Sequence, residues 1–280
     1  MNLDGLYVPH DDEYQNEYLP DANERLAWVS GFTGSFGNAF VFTDRAILFA
    51  DGRYTLQAAD QTDPNLFEVQ GIPDPGAFGW LAQQDMAGKT IGYDPKLISP
   101  NEVAQLKAAA ASAGANLVAV AENPIDRAWE GRPEQPTAPV VPHDVAYAGV
   151  EHAEKRASLG KALKADKADA TVITSPASVA WAFNIRGGDV SCTPLPLGRA
   201  IEGQDRQRRS GCCLGLVLRH AGSGGCQSAE ATRSGRPAKG LQERRRDCWH
   251  NSRAQSRRRG PDQVSALARY RSPERQGHRD

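Results

Sequence analysis

The sequence changes character near residue 198, and this break limits how much of the chain can build a packed core. Residues 1–197 carry 26 Asp or Glu against seven Arg and seven Lys, a net charge of −12. Residues 198–280 carry 18 Arg and one Lys against eight acids, a net charge of +11. No Phe follows Phe183, and four of the five cysteines lie after residue 198. Because a core needs large apolar side chains, we predict that the first part folds and that residues 202–280 are disordered.

Three sequence features predict where the protein is located. No run of 18 apolar residues occurs, which excludes a membrane-spanning helix and a membrane partner. The first residues are polar and acidic, unlike a signal peptide. Residues 1–191 contain no cysteine, as is common where structural disulfides are rare. These features together predict a cytoplasmic protein.

Strand and helix patterns alternate along the first part of the chain. Residues 39–42 and 46–50 are apolar runs joined by Thr43, Asp44 and Arg45, a pattern typical of a hairpin buried on both faces. Residues 90–94 and 116–120 predict further strands. Ser99, Pro100 and Glu102 have the spacing of a helical capping box, and Gly114 suits the end of that helix. The alternation predicts an α/β fold, a mixed sheet flanked by helices.

A proline-rich segment divides the folded part in two. Residues 124–142 contain five prolines, which favours a semi-rigid extended connector. Beyond it, residues 151–164 predict a helix, residues 170–174 a strand, and Ser175 with Pro176 the start of another helix. We therefore expect one domain over residues 1–135 and an incomplete second domain of similar type over residues 136–201.

Several segments resemble one family, the long, three-domain form of Xaa-Pro aminopeptidase (aminopeptidase P), a relative of creatinase and prolidase. The resemblance covers about residues 3–201 and involves five motifs in the expected order. They are residues 24–35 with the glycine segment SGFTGS, residues 51–54 with the sequence DGRY, residues 123–133, residues 147–156, and residues 180–190 with the sequence AWAFNIRGGDV. Phe36 and Cys192 depart from the family pattern, where a small residue and a histidine are usual.

The resemblance implies a metallopeptidase, a hydrolase that releases the N-terminal residue from peptides with Pro at the second position. In that family two divalent metal ions, usually manganese, are held by two Asp, one His and two Glu of a C-terminal catalytic domain. This sequence has no segment resembling that domain. We therefore expect the chain alone to bind no metal cofactor and to be catalytically inactive, with no catalytic or metal-binding residue assigned.

Arg53 is the one residue to which the resemblance gives a role, since the Arg of DGRY belongs to the family's peptide-binding residues. It follows a predicted buried strand and precedes a predicted helix, which places it at the rim of a sheet. A guanidinium presents several donors in a fixed fork and suits a peptide carbonyl or carboxylate. The alternative is that Arg53 only pairs with Asp51 or Asp44 and fixes the junction.

Two other clusters have the residue types of a metal site but a less favourable spacing. His10, Asp11, Asp12 and Glu13 are contiguous and cannot all face one ion, so we predict a solvated acidic patch. A zinc site in the tail would draw on Cys212, Cys213, His220, Cys226, Cys248 and His250. The adjacent cysteines and the pair of Cys248 and His250 lack the paired ligand spacing of a structural zinc site.

The basic tail admits two explanations. Its Arg, Gly, Ser, Ala and Cys, with almost no Lys, Ile or Phe, are what a GC-rich gene gives when it is translated out of frame. We take a frameshifted, truncated aminopeptidase as the main hypothesis. The alternative is a non-catalytic binding or assembly module whose Arg-rich tail binds nucleic acid through phosphate contacts.

Overall fold

The computed structural model describes residues 3–72, 75–204 and 212–218, and these form two compact units. The first unit ends at Pro133 and the second begins at Glu134. The Arg-rich segment after residue 218, with Cys226 and Cys248, lies outside the described residues, so the alternatives for the tail stay predictions.

A six-stranded mixed sheet forms the centre of the first unit. Its spatial order is β4-β3-β2-β1-β5-β6. The pairs β1–β2 and β2–β3 are antiparallel, and the other neighbours are parallel. The strands are β1 (Gly5–Pro9), β2 (Gly37–Phe42), β3 (Ala46–Asp51), β4 (Phe67–Ile72), β5 (Thr90–Tyr93) and β6 (Asn116–Ala119). The mixed sheet and the hairpin of β2 and β3 confirm the predicted α/β fold.

Helices cover both faces of this sheet, and the two faces differ in side-chain size. Small and aliphatic strand residues such as Ala39, Val41 and Leu48 lie under α1 (Arg25–Ser30), α2 (Thr55–Gln61) and α5 (Pro124–Ala128). Strand aromatics such as Phe40 and Phe49 lie under α3 (Gly76–Ala82) and α4 (Pro100–Ser112). Because successive side chains of a strand point to opposite faces, the continuous apolar runs supply both cores at once.

The end of the first unit corrects one prediction. The proline-rich connector is not extended from its start, because residues 124–128 form the helix α5. The Asn123 side chain accepts a hydrogen bond from the Ile125 amide at 2.9 Å, and Pro124 occupies the first helical position. Ile125 and Trp129 are buried in the first core, so burial of their side chains favours the helix over an extended chain.

The second unit has a smaller sheet. Strands β8 (Ala170–Ile173), β10 (Gly198–Gln204) and β11 (Cys212–Leu218) are antiparallel in the order β11-β10-β8, and β7 (Val141–Pro142) pairs with β9 (Ile185–Arg186). Its helices are α6 (Val145–Ala148), α7 (His152–Ala165) and α8 (Pro176–Phe183), of which α7 and α8 pack against β10.

The start of the tail also differs from prediction. Residues 202–204 complete β10, and residues 212–218 form β11, although disorder is predicted from residue 202. Glu202 is fully buried and forms an ion pair with Arg156 at 3.5 Å. The partner strand β8 and the covering helices supply the contacts that local composition could not reveal.

Some large apolar side chains of the second unit are exposed. Val172 pairs with Ile201 across β8 and β10, and the two are 61% and 48% exposed. Trp181 is 50% exposed, whereas Phe183 is half-buried.

Candidate functional site

Arg53 lies where β3 ends and the chain turns into α2. Gly52–Tyr54 form a 3-10 turn, and Asp51 caps it by accepting a hydrogen bond from the Arg53 amide at 2.9 Å. The same carboxylate oxygen accepts from Arg53 Nε at 2.8 Å. The Arg53 side chain is nevertheless 63% exposed. Its predicted place at the sheet rim is therefore correct, and the Asp51 pairing that the sequence left open is present.

The charges of this pair affect each other's titration. Hydrogen bonds from the Arg53 amide and side chain hold the pKa of Asp51 below its ordinary value. The hydrogen bond to Asp51 raises the pKa of Arg53 in turn. Both groups are fully charged near neutral pH, but solvent screens so exposed a pair. Asp51 therefore orients the guanidinium more than it stabilises the fold.

The structure brings the glycine segment and the DGRY motif together, which the sequence motifs alone do not show. The Tyr54 hydroxyl lies 2.9 Å from Ser35 Oγ, and Ser35 Oγ donates to Glu17 at 3.2 Å. The Arg53 guanidinium carbon is 5.2 Å from the centre of the Tyr54 ring. The first unit thus carries a connected cluster of four side chains, those of Glu17, Ser35, Arg53 and Tyr54.

The glycine segment is fixed to α2 by a close backbone approach. Gly31 has a φ of +81°, and a Cβ there would lie 2.7 Å from the Gln61 carbonyl oxygen. The Thr33 amide donates to Gln61 Oε1 at 2.9 Å. The glycine is required by both the backbone conformation and the contact. Phe36, at a position where the family usually has a small residue, is 48% exposed and stands clear of this packing.

The cluster at residues 10–13 is not the solvated acidic patch that the sequence predicts. His10 and Asp12 are buried, and His10 Nε2 lies 2.9 Å from the Glu17 carbonyl oxygen. Asp12 accepts hydrogen bonds from the Tyr14 amide and from the Asn23 side chain, at 2.9 and 3.1 Å. The carboxylate is buried because backbone and amide donors replace its water. The segment is a structural turn.

Arg25 is buried, which the sequence patterns did not predict. Arg25 is 3% exposed on α1 and pairs with Glu13 at 3.0 Å and with Asp126 at 2.7 Å. Arg132 also pairs with Asp126, at 2.9 Å. These contacts link the N-terminal turn, α1 and α5. The signal was available, since Arg25 is the one charged residue in the otherwise apolar or small α1 sequence RLAWVS.

The metal ions that the resemblance implies find no ligand set in the described ranges. No group of three or more His, Cys, Asp or Glu is arranged there to hold a metal ion. The described residues therefore do not fit the two-metal centre, and no catalytic step can be derived from them.

Among the helices that the structure describes, none is both long and apolar enough to cross a bilayer.

Two family models, both for the creatinase/prolidase N-terminal domain, match residues 1–128 and 131–208. The chain is 39% identical over 208 residues to a probable Xaa-Pro aminopeptidase P of Sordaria macrospora, covering 73% of this chain and 34% of that one. It is 36% identical over 207 residues to a probable Xaa-Pro aminopeptidase P of Laccaria bicolor, covering 73% and 32%. The chain thus spans about a third of the length of these relatives.

A solved structure agrees with these matches. The X-prolyl aminopeptidase of Caenorhabditis elegans, described as a cytosolic enzyme with a di-nuclear active site, superposes with a TM-score of 0.71 at 30% identity. The match covers 78% of this chain and 35% of that enzyme.

Proposed function

Because the chain belongs to the creatinase/prolidase N-terminal domain family, we propose that it is the substrate-contacting N-terminal part of an Xaa-Pro aminopeptidase. In this proposal Arg53 contacts peptides with Pro at the second position, and the chain alone releases no amino acid from them. The single observation that carries the proposal is the exposed guanidinium at the end of β3, anchored through Nε by Asp51.

The chemistry of Arg53 supports a peptide contact. Asp51 takes the Nε proton, and among the described residues no acceptor is bonded to either Nη atom of Arg53. Four donor hydrogens in one plane therefore face solvent, a geometry that suits a carboxylate or a carbonyl oxygen. Since Asp51 already holds one edge of the group, binding costs less side-chain entropy than it would for a free arginine.

The proposal that this chain does not hydrolyse peptides rests on coverage. The matched relatives are about three times as long as the part that this chain resembles. The two divalent ions of the intact family enzyme, which we propose to be manganese, would be held outside that part. The cytosolic location of the C. elegans enzyme supports the proposal that this protein is also cytoplasmic.

A peptide titration tests the Arg53 contact. The tripeptide Ala-Pro-Ala is added to the 280-residue chain, and the side-chain Nε–Hε signal of Arg53 is followed by NMR. We expect a saturable shift of that signal. The affinity, measured in both chains from backbone amide shifts, should be weaker by about three- to tenfold in Arg53→Gln because charged hydrogen bonds are lost. Arg45→Gln, a change of another exposed arginine in the same unit, serves as the matched control. An Arg53 signal that does not move at saturating peptide would contradict the contact.

A further inference from the structure

One edge and one face of the Arg53 guanidinium are in contact with side chains of the first unit. Asp51 accepts from the Nε edge at 2.8 Å. The ring of Tyr54 lies beside the guanidinium, 5.2 Å from Cζ to the ring centre, as in a cation–π contact. Among the described residues, no acceptor is bonded to the edge that carries the two Nη atoms.

Tyr54 is itself held from two directions. Its hydroxyl is 2.9 Å from Ser35 Oγ, whose own proton can go to Glu17 at 3.2 Å. The edge of its ring meets Phe32 at 5.8 Å between ring centres and an angle of 78°. Phe32 is 1% exposed and belongs to the first core. The ring beside Arg53 is therefore fixed to the core on one side and to the glycine segment on the other.

The Asp51 contact alone does not fix the plane of the guanidinium. One hydrogen bond through Nε leaves the group free to swing about that bond, so the Nη edge could sweep a wide arc. A ring beside the guanidinium restricts that freedom, because the cation–π contact is kept only while the guanidinium stays close to the ring.

We propose that Tyr54, fixed by Ser35, is a positioning residue that sets the plane of Arg53 and keeps its Nη edge directed outward. The consequence for binding rests on the proposed function of Arg53. With Nε already taken, an acceptor must approach the Nη edge end-on, which favours the two oxygens of a peptide carboxylate over a single carbonyl oxygen.

The position of Arg53 can be measured without any peptide. In the full chain labelled with ¹⁵N-arginine, the Arg53 Nε–Hε signal is identified by its loss in Arg53→Lys. We expect Tyr54→Leu to speed the exchange of Hε with water by about two- to fivefold, the factor typical of losing one exposed cation–π contact. Ser35→Ala should act in the same direction with a smaller factor, because the ring stays but loses its anchor. Tyr18→Leu, at a tyrosine that is 59% exposed, is the matched control and should change nothing.

An unchanged Hε exchange rate in Tyr54→Leu, with the backbone amide signals of β2 and β3 intact, would overturn the proposal. If Tyr54→Leu disturbs those sheet signals, Ser35→Ala provides the test instead. An unchanged Hε exchange rate of Arg53 in Ser35→Ala would then overturn the proposal.

Addition of Ala-Pro-Ala and of its C-terminal amide separates this proposal from the function on which it rests. Faster Hε exchange in Tyr54→Leu, with no response of Arg53 to either peptide in the unchanged chain, would refute the peptide contact and keep the positioning role. A response to both peptides of equal strength would refute the preference for a carboxylate.

Discussion

Arg25 connects the N-terminal turn, α1 and α5 of the first unit through ion pairs. Its guanidinium is buried between Glu13 and Asp126, and Asp126 is shared with Arg132. Hydrogen bonds and charge from the two carboxylates raise the pKa of Arg25 although burial alone would lower it. The two ion pairs therefore keep the buried guanidinium charged.

Replacing Arg25 should strongly destabilise the first unit. Arg25→Met leaves the Glu13 and Asp126 carboxylates without their main cation, and breaking a buried pair in this way costs about 3–5 kcal/mol. Denaturant unfolding followed by tryptophan fluorescence measures the loss, since Trp28 and Trp129 stack at 5.6 Å on this side of the sheet. The matched control is Arg45→Gln, on a solvent-exposed side chain, which should cost less than about 1 kcal/mol. A loss below about 1 kcal/mol in Arg25→Met would contradict the structural role of the pair.

The free energy of unfolding should depend on pH through the ion pairs that Asp126 forms with Arg25 and Arg132. Burial by itself would raise the pKa of Asp126, but hydrogen bonds and charge from Arg25 and Arg132 keep it below the ordinary 3.8. A carboxyl with a lowered folded-state pKa contributes stability that is present above the unfolded pKa and is lost as the pH falls through the folded one. Stability should therefore drop between about pH 5 and pH 2.

Asp126→Asn isolates this contribution. The variant should be less stable than the unchanged chain at pH 7, and the difference between the two should shrink as the pH falls below 4. Burial raises the pKa of the Asp11 carboxyl, which changes the pH dependence of stability in the opposite sense. Only the difference between the variant and the unchanged chain is therefore diagnostic. A difference that stays constant from pH 7 to pH 2 would contradict the assignment.

At the scale of elements, α4 shows how a short motif determines a boundary. Ser99 Oγ accepts from the Glu102 amide at 3.3 Å, and the Glu102 carboxylate accepts from the Ser99 amide at 3.0 Å. Pro100 supplies the first helical residue, and Gly114 follows the helix with a φ of +74°. Both ends of this helix agree with the sequence prediction.

Loss of the cap should weaken the start of α4. Ser99→Ala leaves the Glu102 amide without its acceptor and should cost about 1 kcal/mol. Hydrogen exchange of the amides in the first turn of α4 should become faster by the factor that corresponds to this loss of about 1 kcal/mol. Ser112→Ala is the control, because the Ser112 hydroxyl donates to Ala108 O on an exposed face at 3.1 Å and caps nothing. Equal exchange rates in Ser99→Ala and the unchanged chain would show that the cap contributes nothing.

The elements also show where sequence reasoning ends. The strands β2 and β3 could be predicted from the sequence, because their continuous apolar side chains fill both faces of the sheet. The helix α5 was missed because five prolines dominate the composition of its segment. Asn123 and Pro124 nevertheless repeat the cap-and-proline pattern that Ser99 and Pro100 show. The cap-and-proline pattern of Asn123 and Pro124 therefore predicts α5 better than the proline content of the whole segment does.

The candidate site was predictable only in part. The DGRY motif places Arg53 at the end of a strand, and the structure confirms that place. The contact of Tyr54 with Ser35 joins residues 19 positions apart and depends on the packing of Phe32. The burial of Asp12 likewise depends on Asn23, a tertiary partner that the spacing of residues 10–13 could not reveal.

At the scale of the whole molecule, the two units differ in how completely their sheets are covered. Helices lie on both faces of the six-stranded sheet of the first unit. In the second unit the described helices leave Val172 and Ile201 side by side and exposed. The change of charge at residue 198 falls at the first residue of β10, within this second sheet.

The frameshift hypothesis remains a prediction for the segment after the family match, which ends at residue 208. Resequencing the coding DNA from codon 195 onward and translating all three frames checks it. We expect another frame to continue the second domain and lead to the Asp, His and Glu ligands of the family. A confirmed sequence in which no frame restores that pattern would favour the alternative of a basic nucleic-acid-binding tail.

An assay of peptide cleavage by the 280-residue chain in the presence of manganese tests whether the chain alone is inactive. Ala-Pro-Ala is incubated with the purified chain, and release of the first alanine is measured against a chelator-treated control. We expect no release above that control, since the chain corresponds to about a third of the length of the aminopeptidases that it resembles. Manganese-dependent release, abolished by the chelator, would contradict the claim that this chain contacts peptides without cleaving them.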